Sequence, residues 1–483
     1  MGFQRCIQAA TTVATTTCYQ TILRPKIPVV GPFCGALGTL TLTARRSSST
    51  TAVASNNRKD NNDATTTRTT LSAAVQHEIG RYDPSIPIGR AETPPSSWYT
   101  LPDIMECERN VVFCDNWVAV DILRATKPGS FQTGIFNEQP YLITNNINGE
   151  IKAFYNVCTH AGSCLVGPWT NNPTCRLTSE LGLKRGQQQQ QGHYGELDEK
   201  EQRRGMQCPY HGWQFNLDGK LIKTTQMKGI EDFRNKNYDL RTIEMMVVGP
   251  IVYMKFQKDL VTATTEKDAQ FRETVSLFEQ RVERNGFVQD FSDVQFIESS
   301  EYTVDCNWKV FVDNYGDGCY HCAYAHKDLS ANIDEASYFT DLVSPELSIQ
   351  NAPPKVEVAT TRFGTNRPAI YAYMYPNIMY NRYGPWLDVD IIKPITATTC
   401  SVIKAWFLER SFGDDRDAML EFIDESIKSS RVVHDEDVFL CENVQTGMGS
   451  YGFDRGRYVP EKQIASYHFH QRLAADLRRT LQS

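Results

Sequence analysis

Two histidines five residues apart, His321 and His326, follow an acidic run containing Asp313 and Asp317 in the stretch DCNWKVFVDNYGDGCYHCAYAH. Neutral imidazole is the commonest side-chain metal ligand. Two imidazoles and one carboxylate on one face of an iron, with the other positions open, form the set that activates dioxygen. Two ordinary half-buried histidines would show the same spacing, so the rest of the chain must decide between the readings. Gly316 and Gly318 interrupt the apolar pattern of Trp308, Val310, Phe311 and Val312, which predicts a helix with an irregular middle. Such a turn would let both imidazoles point at one spot.

Upstream, Cys158-Thr159-His160 and Cys208-Pro209-Tyr210-His211 form two short Cys/His pairs in separate segments. Two thiolates on one iron and two imidazoles on the other are the ligands of a Rieske [2Fe–2S] centre. Phe154-Tyr155-Asn156-Val157 and Trp213-Gln214-Phe215 read as flanking strands, and Gly212 permits a tight turn. Zinc takes the same inventory. Zinc fingers generally set Cys beside Cys, however, whereas each half here holds one of each.

With both halves in place the chain resembles the Rieske-type non-haem iron oxygenases, and within them the choline-type branch of plants and algae. The motifs that carry the resemblance are TPPSSWYT, NVCTH, CPYHGW, NWKVFVDNYGDGCYH…YAH, YPNIMYNRYGPW, EDVFLCENVQTG and GRYVPEK, spread from about Tyr82 to Leu477. The resemblance implies an α+β fold: an all-β Rieske domain, then a catalytic domain with an antiparallel sheet wrapped around long helices. It supplies Asp437 as the third iron ligand beside His321 and His326, with Asp435 as the alternative. It also implies that Asp317 bridges an iron histidine to a Rieske histidine of a neighbouring subunit, in a homotrimer. In the general pattern of the superfamily that carboxylate stands three residues before the first iron histidine, where this chain has Gly318; Asp317 stands four before, as in the choline-type branch. Asn314 and Asp313 are candidates for supporting hydrogen bonds. Ala161 stands where the family usually has Arg.

The implied cofactors are the [2Fe–2S] cluster on Cys158, His160, Cys208 and His211 and a mononuclear Fe(II). The implied reaction is hydroxylation of choline by O₂ to betaine aldehyde hydrate, the first step toward glycine betaine. Hydroxylation or N-demethylation of another methylated or carnitine-like amine is the alternative. No GxGxxG-type segment serves a nicotinamide or flavin, so electrons must come from a partner, and ferredoxin fits a plastid protein. A quaternary ammonium is best held by aromatic faces. Tyr373, Tyr375, Tyr383 and Trp386, with Tyr371 and Tyr380, supply rings near the expected pocket, although alternating strand aromatics also serve as core packing.

Behind these residues the chain divides by composition. Residues 1–59 contain no Asp or Glu, seven Lys or Arg and abundant Thr, Ser and Ala, the pattern of an organelle transit peptide. Plastid stroma is the favoured address and mitochondrial matrix the alternative. Residues 60–116 read as a linker and a helical segment, 117–257 as the Rieske domain and 258–483 as the catalytic domain. Within the Rieske domain, 171–205 reads as a low-complexity surface insertion with His193 as a solvated histidine. The catalytic domain should hold a helix over 267–285, strands over 296–304, 355–363, 369–375, 378–381 and 398–409, and a long amphipathic helix over 414–445. Net charge is −7, which gives no reason to expect nucleic acid. No stretch approaches the roughly 18 apolar residues of a membrane span. Cys164, Cys175, Cys319, Cys322 and Cys441, scattered singly, read as packed free thiols.

Overall fold

The computed structural model describes residues 72–167, 193–256, 265–326, 330–331, 333–355, 367–412 and 416–481. The expected transit segment, Cys175, the Gln tract 187–191 and nearly all of the strand expected over 355–363 lie outside the described residues. Three short helices open the described chain: α1 (Ala73–Gly80), α2 (Ser97–Thr100) and α3 (Pro102–Glu108). Ser72 caps α1 by accepting the Val75 N–H at 3.3 Å. Trp98 and Tyr99 of α2 are buried; the indole donates to the Glu78 carbonyl and the phenol to Asp313, 2.9 and 2.8 Å away.

Ten strands follow: β1 (Val118–Ile122), β2 (Ser130–Phe136), β3 (Gln139–Asn145), β4 (Ile151–Tyr155), β5 (His193–Glu196), β6 (Met206–Gln207), β7 (Gln214–Phe215), β8 (Leu221–Lys223), β9 (Thr242–Val248) and β10 (Ile251–Lys255). Seven of them form an antiparallel sheet in the order β1-β10-β9-β4-β3-β2-β5, and β6-β7-β8 make a small second sheet. Phe131, Leu142, Phe154, Trp213 and Phe215 pack between them around the two cysteines.

The insertion expected over 171–205 is folded at its C-terminal end. Tyr194 and Glu196 of β5 pair with Gln132 and Ser130, and the His193 backbone pairs with Thr133. The charged run that composition assigns to a solvated loop is helix α4 (Glu199–Arg204). Asp198 accepts the Glu201 N–H at 2.8 Å and Glu201 accepts the Asp198 N–H at 2.9 Å, a reciprocal cap. Leu197 is buried beneath.

In the catalytic half, α5 (Thr265–Arg284) precedes β11 (Val294–Val304). The broken helix comes next, as α6 (Trp308–Tyr315) and α7 (Cys322–Ala325). Six strands complete a second antiparallel sheet with β11: β12 (Phe339–Ser344), β13 (Leu347–Ala352), β14 (Ala369–Met374), β15 (Ile378–Tyr383), β16 (Trp386–Thr396) and β17 (Thr399–Glu409), in the order β11-β17-β16-β15-β14-β13-β12. The long α8 (Arg416–Met448) and α9 (Ile464–Arg479) end the fold.

Strand periodicity gives this sheet two different faces. The rung Ile349–Ala372–Tyr380–Val389–Ala405 is apolar and packs in one cluster with Phe271, Phe278 and Val282 of α5. The next rung, Gln350–Tyr371–Asn381–Asp388–Trp406, points the other way. Replacing residues 171–191 by a short Gly/Ser linker is expected to leave cluster content and melting temperature unchanged. Extending the replacement to 205 removes β5 and α4 and should lower the melting temperature; equal melting temperatures by calorimetry would show that this segment contributes nothing.

Candidate active site

Cys158 and Cys208 occupy matching points of two similar loops. The Cys158 N–H donates to the Ser163 carbonyl and the Gly162 N–H to the Cys158 carbonyl, at 2.8 and 2.9 Å. In the second loop the Cys208 N–H donates to Trp213 and the Gly212 N–H to Cys208, at 2.7 and 3.1 Å. Gly162 and Gly212 both adopt φ of 75°, a left-handed turn that a side chain would strain. Both cysteines are buried, whereas His160 and His211 are exposed at the rim with ring centroids 4.6 Å apart. His160 stacks on Trp213 at 4.5 Å. The hydrogen bond with Cys158, together with the backbone N–H groups of Tyr210 and His211, outweighs burial and draws the Cys208 thiol down to about 5. A lowered thiol pKa favours the thiolate, the form that binds metal.

The second centre is assembled from two distant segments. Asn307 caps α6 by accepting the Lys309 N–H at 3.0 Å, and its own N–H donates to Gln445 of α8 at 2.7 Å. Beyond α6 the chain turns through Gly318, at φ 69°, and Cys319, at φ 58°. A Cβ on Gly318 would lie 2.1 Å from the Lys462 carbonyl oxygen, so this position has no room for a side chain. The turn brings His321 and His326 together. Their Nε2 atoms are 3.0 Å apart and lie 3.4 and 3.0 Å from Asp437 Oδ1. Ligand atoms of His321, His326 and Asp437 all lie within 4.8 Å of one another, a spacing that could hold one metal ion.

Each imidazole is held from behind by a carboxylate. His321 Nδ1 meets Asp317 Oδ2 at 2.6 Å, and His326 Nδ1 meets Glu436 Oε2 at 2.7 Å. This arrangement fixes ring orientation and leaves both Nε2 atoms to a metal. Asn314 donates to Asp437 Oδ1 at 2.7 Å. Burial disfavours a charged His321, but Asp317 and Asp437 outweigh it and lift its pKa to about 10. Burial raises and the two imidazoles lower the Asp437 pKa, leaving it well below the usual carboxylate range. Asp435 is exposed and outside the group. Asp313 turns away to Tyr99 and His470.

The group opens onto a cavity of about 150 Å³. Tyr315, Tyr338, Tyr371 and Tyr383 line it together with Asp388, Asp390, Lys404 and His434. Of the expected substrate residues Tyr371 and Tyr383 reach it, Tyr383 donating to Asp388 at 2.6 Å. Tyr373 and Tyr375 are instead core residues: one donates to the Pro376 carbonyl, the other to Asp476, and both pack on Phe469 of α9. Trp386 stacks on Phe422, and Tyr380 bonds Tyr253. Glu436, Asp388, Asp390 and His434 escaped the sequence reading, yet had a signal there. Asp388 and Asp390 alternate on one strand face, and Ile427, Ser430, His434, Asp437, Cys441 and Gln445 form one stripe of α8 at helical spacing.

Cys319 and Cys322 are a disulfide, with Cα atoms 5.0 Å apart, and not the free thiols expected. The turn at Cys319 folds the chain back so that sulfurs three residues apart meet, with His321 between them. Cys164 and Cys441 form no disulfide among the described residues.

Residues 116–234 match the Rieske [2Fe-2S] domain model, and residues 291–478 match the ring hydroxylating alpha subunit catalytic domain. The chain is 35% identical over 402 residues to the chloroplastic choline monooxygenase of Arabidopsis thaliana, covering 81% of this chain and 84% of that one. The chain belongs to the choline monooxygenase family. The chloroplastic choline monooxygenase of Spinacia oleracea is 30% identical, over 83% of this chain and 82% of its own. A crystal structure of a quaternary ammonium Rieske monooxygenase in complex with L-carnitine shares the fold, with a TM-score of 0.61 at 21% identity over 82% of this chain and 97% of that one. Membership makes this chain a Rieske-type monooxygenase that uses a [2Fe–2S] cluster and a mononuclear iron. The side chains fit both groups: two buried thiols beside two imidazoles, and two imidazoles with one carboxylate on an open cavity.

A thiol-alkylating reagent under non-reducing denaturing conditions is expected to leave Cys319 and Cys322 unlabelled while labelling Cys441. Prior reduction should expose both, and peptide mass mapping distinguishes the outcomes; labelling without reductant would break the assigned pairing.

Proposed function

We propose that the chain is a plastid choline monooxygenase, in which Cys158, His160, Cys208 and His211 hold the cluster and His321, His326 and Asp437 hold the iron. The observation that carries the reading is the convergence of those last three residues on a cavity walled by tyrosines and carboxylates. The chemistry the bound metals supply is activation of dioxygen, with electrons passed singly from the cluster. Asp317 and Glu436 keep the two imidazoles oriented, and Asn314 holds Asp437 in place. The tyrosine rings suit a trimethylammonium group, each contact contributing roughly 0.5–2 kcal/mol. Asp388 and Asp390 add negative charge, part of which Lys404 offsets at 3.0 Å from Asp390. The curated relatives named above are chloroplastic choline monooxygenases, which supports both the substrate and the plastid address.

Ferredoxin is the proposed electron donor, and a homotrimer the proposed assembly. His160, His211 and Tyr210 form an exposed edge of the cluster loops. Such an edge can meet a neighbouring subunit, where Asp317 would link it to His321. Head-to-tail contacts of this kind close into rings when the rotation permits.

Anaerobic reduction by ferredoxin followed by O₂ and choline is expected to yield betaine aldehyde; product from carnitine-like amines alone would move the substrate. Asp437→Ala should retain the Rieske EPR signal and lose all product; retained turnover would remove Asp437 from the iron set. Co-assembling Cys158→Ser subunits with His326→Ala subunits should restore activity that neither parent shows. Continued inactivity of verified mixed assemblies would exclude the intersubunit route.

A further inference from the structure

A third histidine faces the cavity and takes no part in the chemistry above. His434 lies one turn before Asp437 on α8 and lines the same cavity as His321, His326 and Asp437. Its Nδ1 sits 3.3 Å from the Tyr302 hydroxyl, with ring centroids 4.4 Å apart, which sets the plane of the imidazole. Its Nε2 is buried and meets no hydrogen-bond partner among the described residues. A buried polar atom left without a partner costs on the order of 1–3 kcal/mol, so it marks a place where a partner belongs.

Other polar groups of the cavity largely hold one another. Asn381 accepts from the Tyr315 hydroxyl at 2.8 Å and donates to Asp390 at 3.2 Å. Gln350 accepts from Tyr338 at 2.7 Å and donates to the Tyr315 carbonyl at 2.8 Å. Lys404 pairs with Asp390, and Asn314 with Asp437.

A quaternary ammonium alcohol has no N–H. Its hydroxyl is its single hydrogen-bonding group, and burying it unpaired is unfavourable. We propose that His434 Nε2 binds the hydroxyl of the substrate and thereby selects which carbon faces the iron site. This inference rests on the reading of choline as substrate. Neutral imidazole can donate or accept, so either tautomer serves. Burial first, and then Lys404 nearby, lower the His434 pKa to about 4, so the ring stays neutral and does not repel a cation.

The test compares choline with ethyltrimethylammonium, the same cation without a hydroxyl, by equilibrium binding to the anaerobic holoenzyme. The wild type should prefer choline. His434→Leu should weaken choline about tenfold, the scale of one buried hydrogen bond, and leave ethyltrimethylammonium unchanged. His434→Gln, which keeps an amide within reach, should recover part of the preference and carries the test if the Leu variant loses cluster or iron. Equal weakening of both ligands, or of neither, would overturn the proposal. A wild type that neither binds nor oxidises choline would instead retire the substrate reading, and this inference with it.

Discussion

Asp437 Oδ1 is the point on which the catalytic half converges. It accepts the Asn314 amide at 2.7 Å and stands 3.0 and 3.4 Å from the Nε2 atoms of His326 and His321. Asp437 rides on α8, while Asn314 sits on α6 and His321 and His326 flank α7, more than 100 positions away. Tenths of an ångström matter at such a point, so α6 must be held against α8. The Asn307 N–H bonds to Gln445, and Lys309 of α6 is fully buried against Glu108 of α3 at 2.6 Å. Removing one partner of a buried pair of this kind costs roughly 3–5 kcal/mol, because the other charge is then stranded. The α1–α3 segment is thus part of the site's foundation.

The second sheet serves two environments with the same strands. One face is apolar against α5, and the other carries tyrosines, Asn381, Asp388, Asp390 and Lys404 into the cavity. A single-residue slip in register would exchange the two faces, placing carboxylates in the core. The core and the cavity therefore enforce the same pairing.

Both proposed metal centres are tuned by what stands behind the ligands. At the cluster loops, paired left-handed glycines and Trp213 shape the rim, with the thiols buried beneath. At the iron site, carboxylates orient each imidazole, and the Cys319–Cys322 disulfide clamps the turn that carries His321. Gly318 has no room for a side chain, because the Lys462 backbone occupies that space, and the carboxylate that meets His321 comes from Asp317.

Much of this was legible in the sequence because ligand chemistry is local. Cys158–His160, Cys208–His211 and His321–His326 announce themselves by residue type and spacing, and the break at Gly316 and Gly318 predicted the turn between α6 and α7. Asp437 needed resemblance, because a carboxylate in an acidic helix looks like any solvated face. Tertiary structure alone decided which aromatics meet the cavity. Tyr373 and Tyr383 both sit in sheet strands, yet one packs on Phe469 and the other reaches Asp388, since α9 covers only part of the sheet. It also decided that Cys319 and Cys322 pair, that residues 193–204 fold, and that His434 shares a cavity with residues from five strands. Sequence spacing specifies which side chains share a face of one element. Which faces meet is set by packing between elements far apart in the chain, and no local pattern records it.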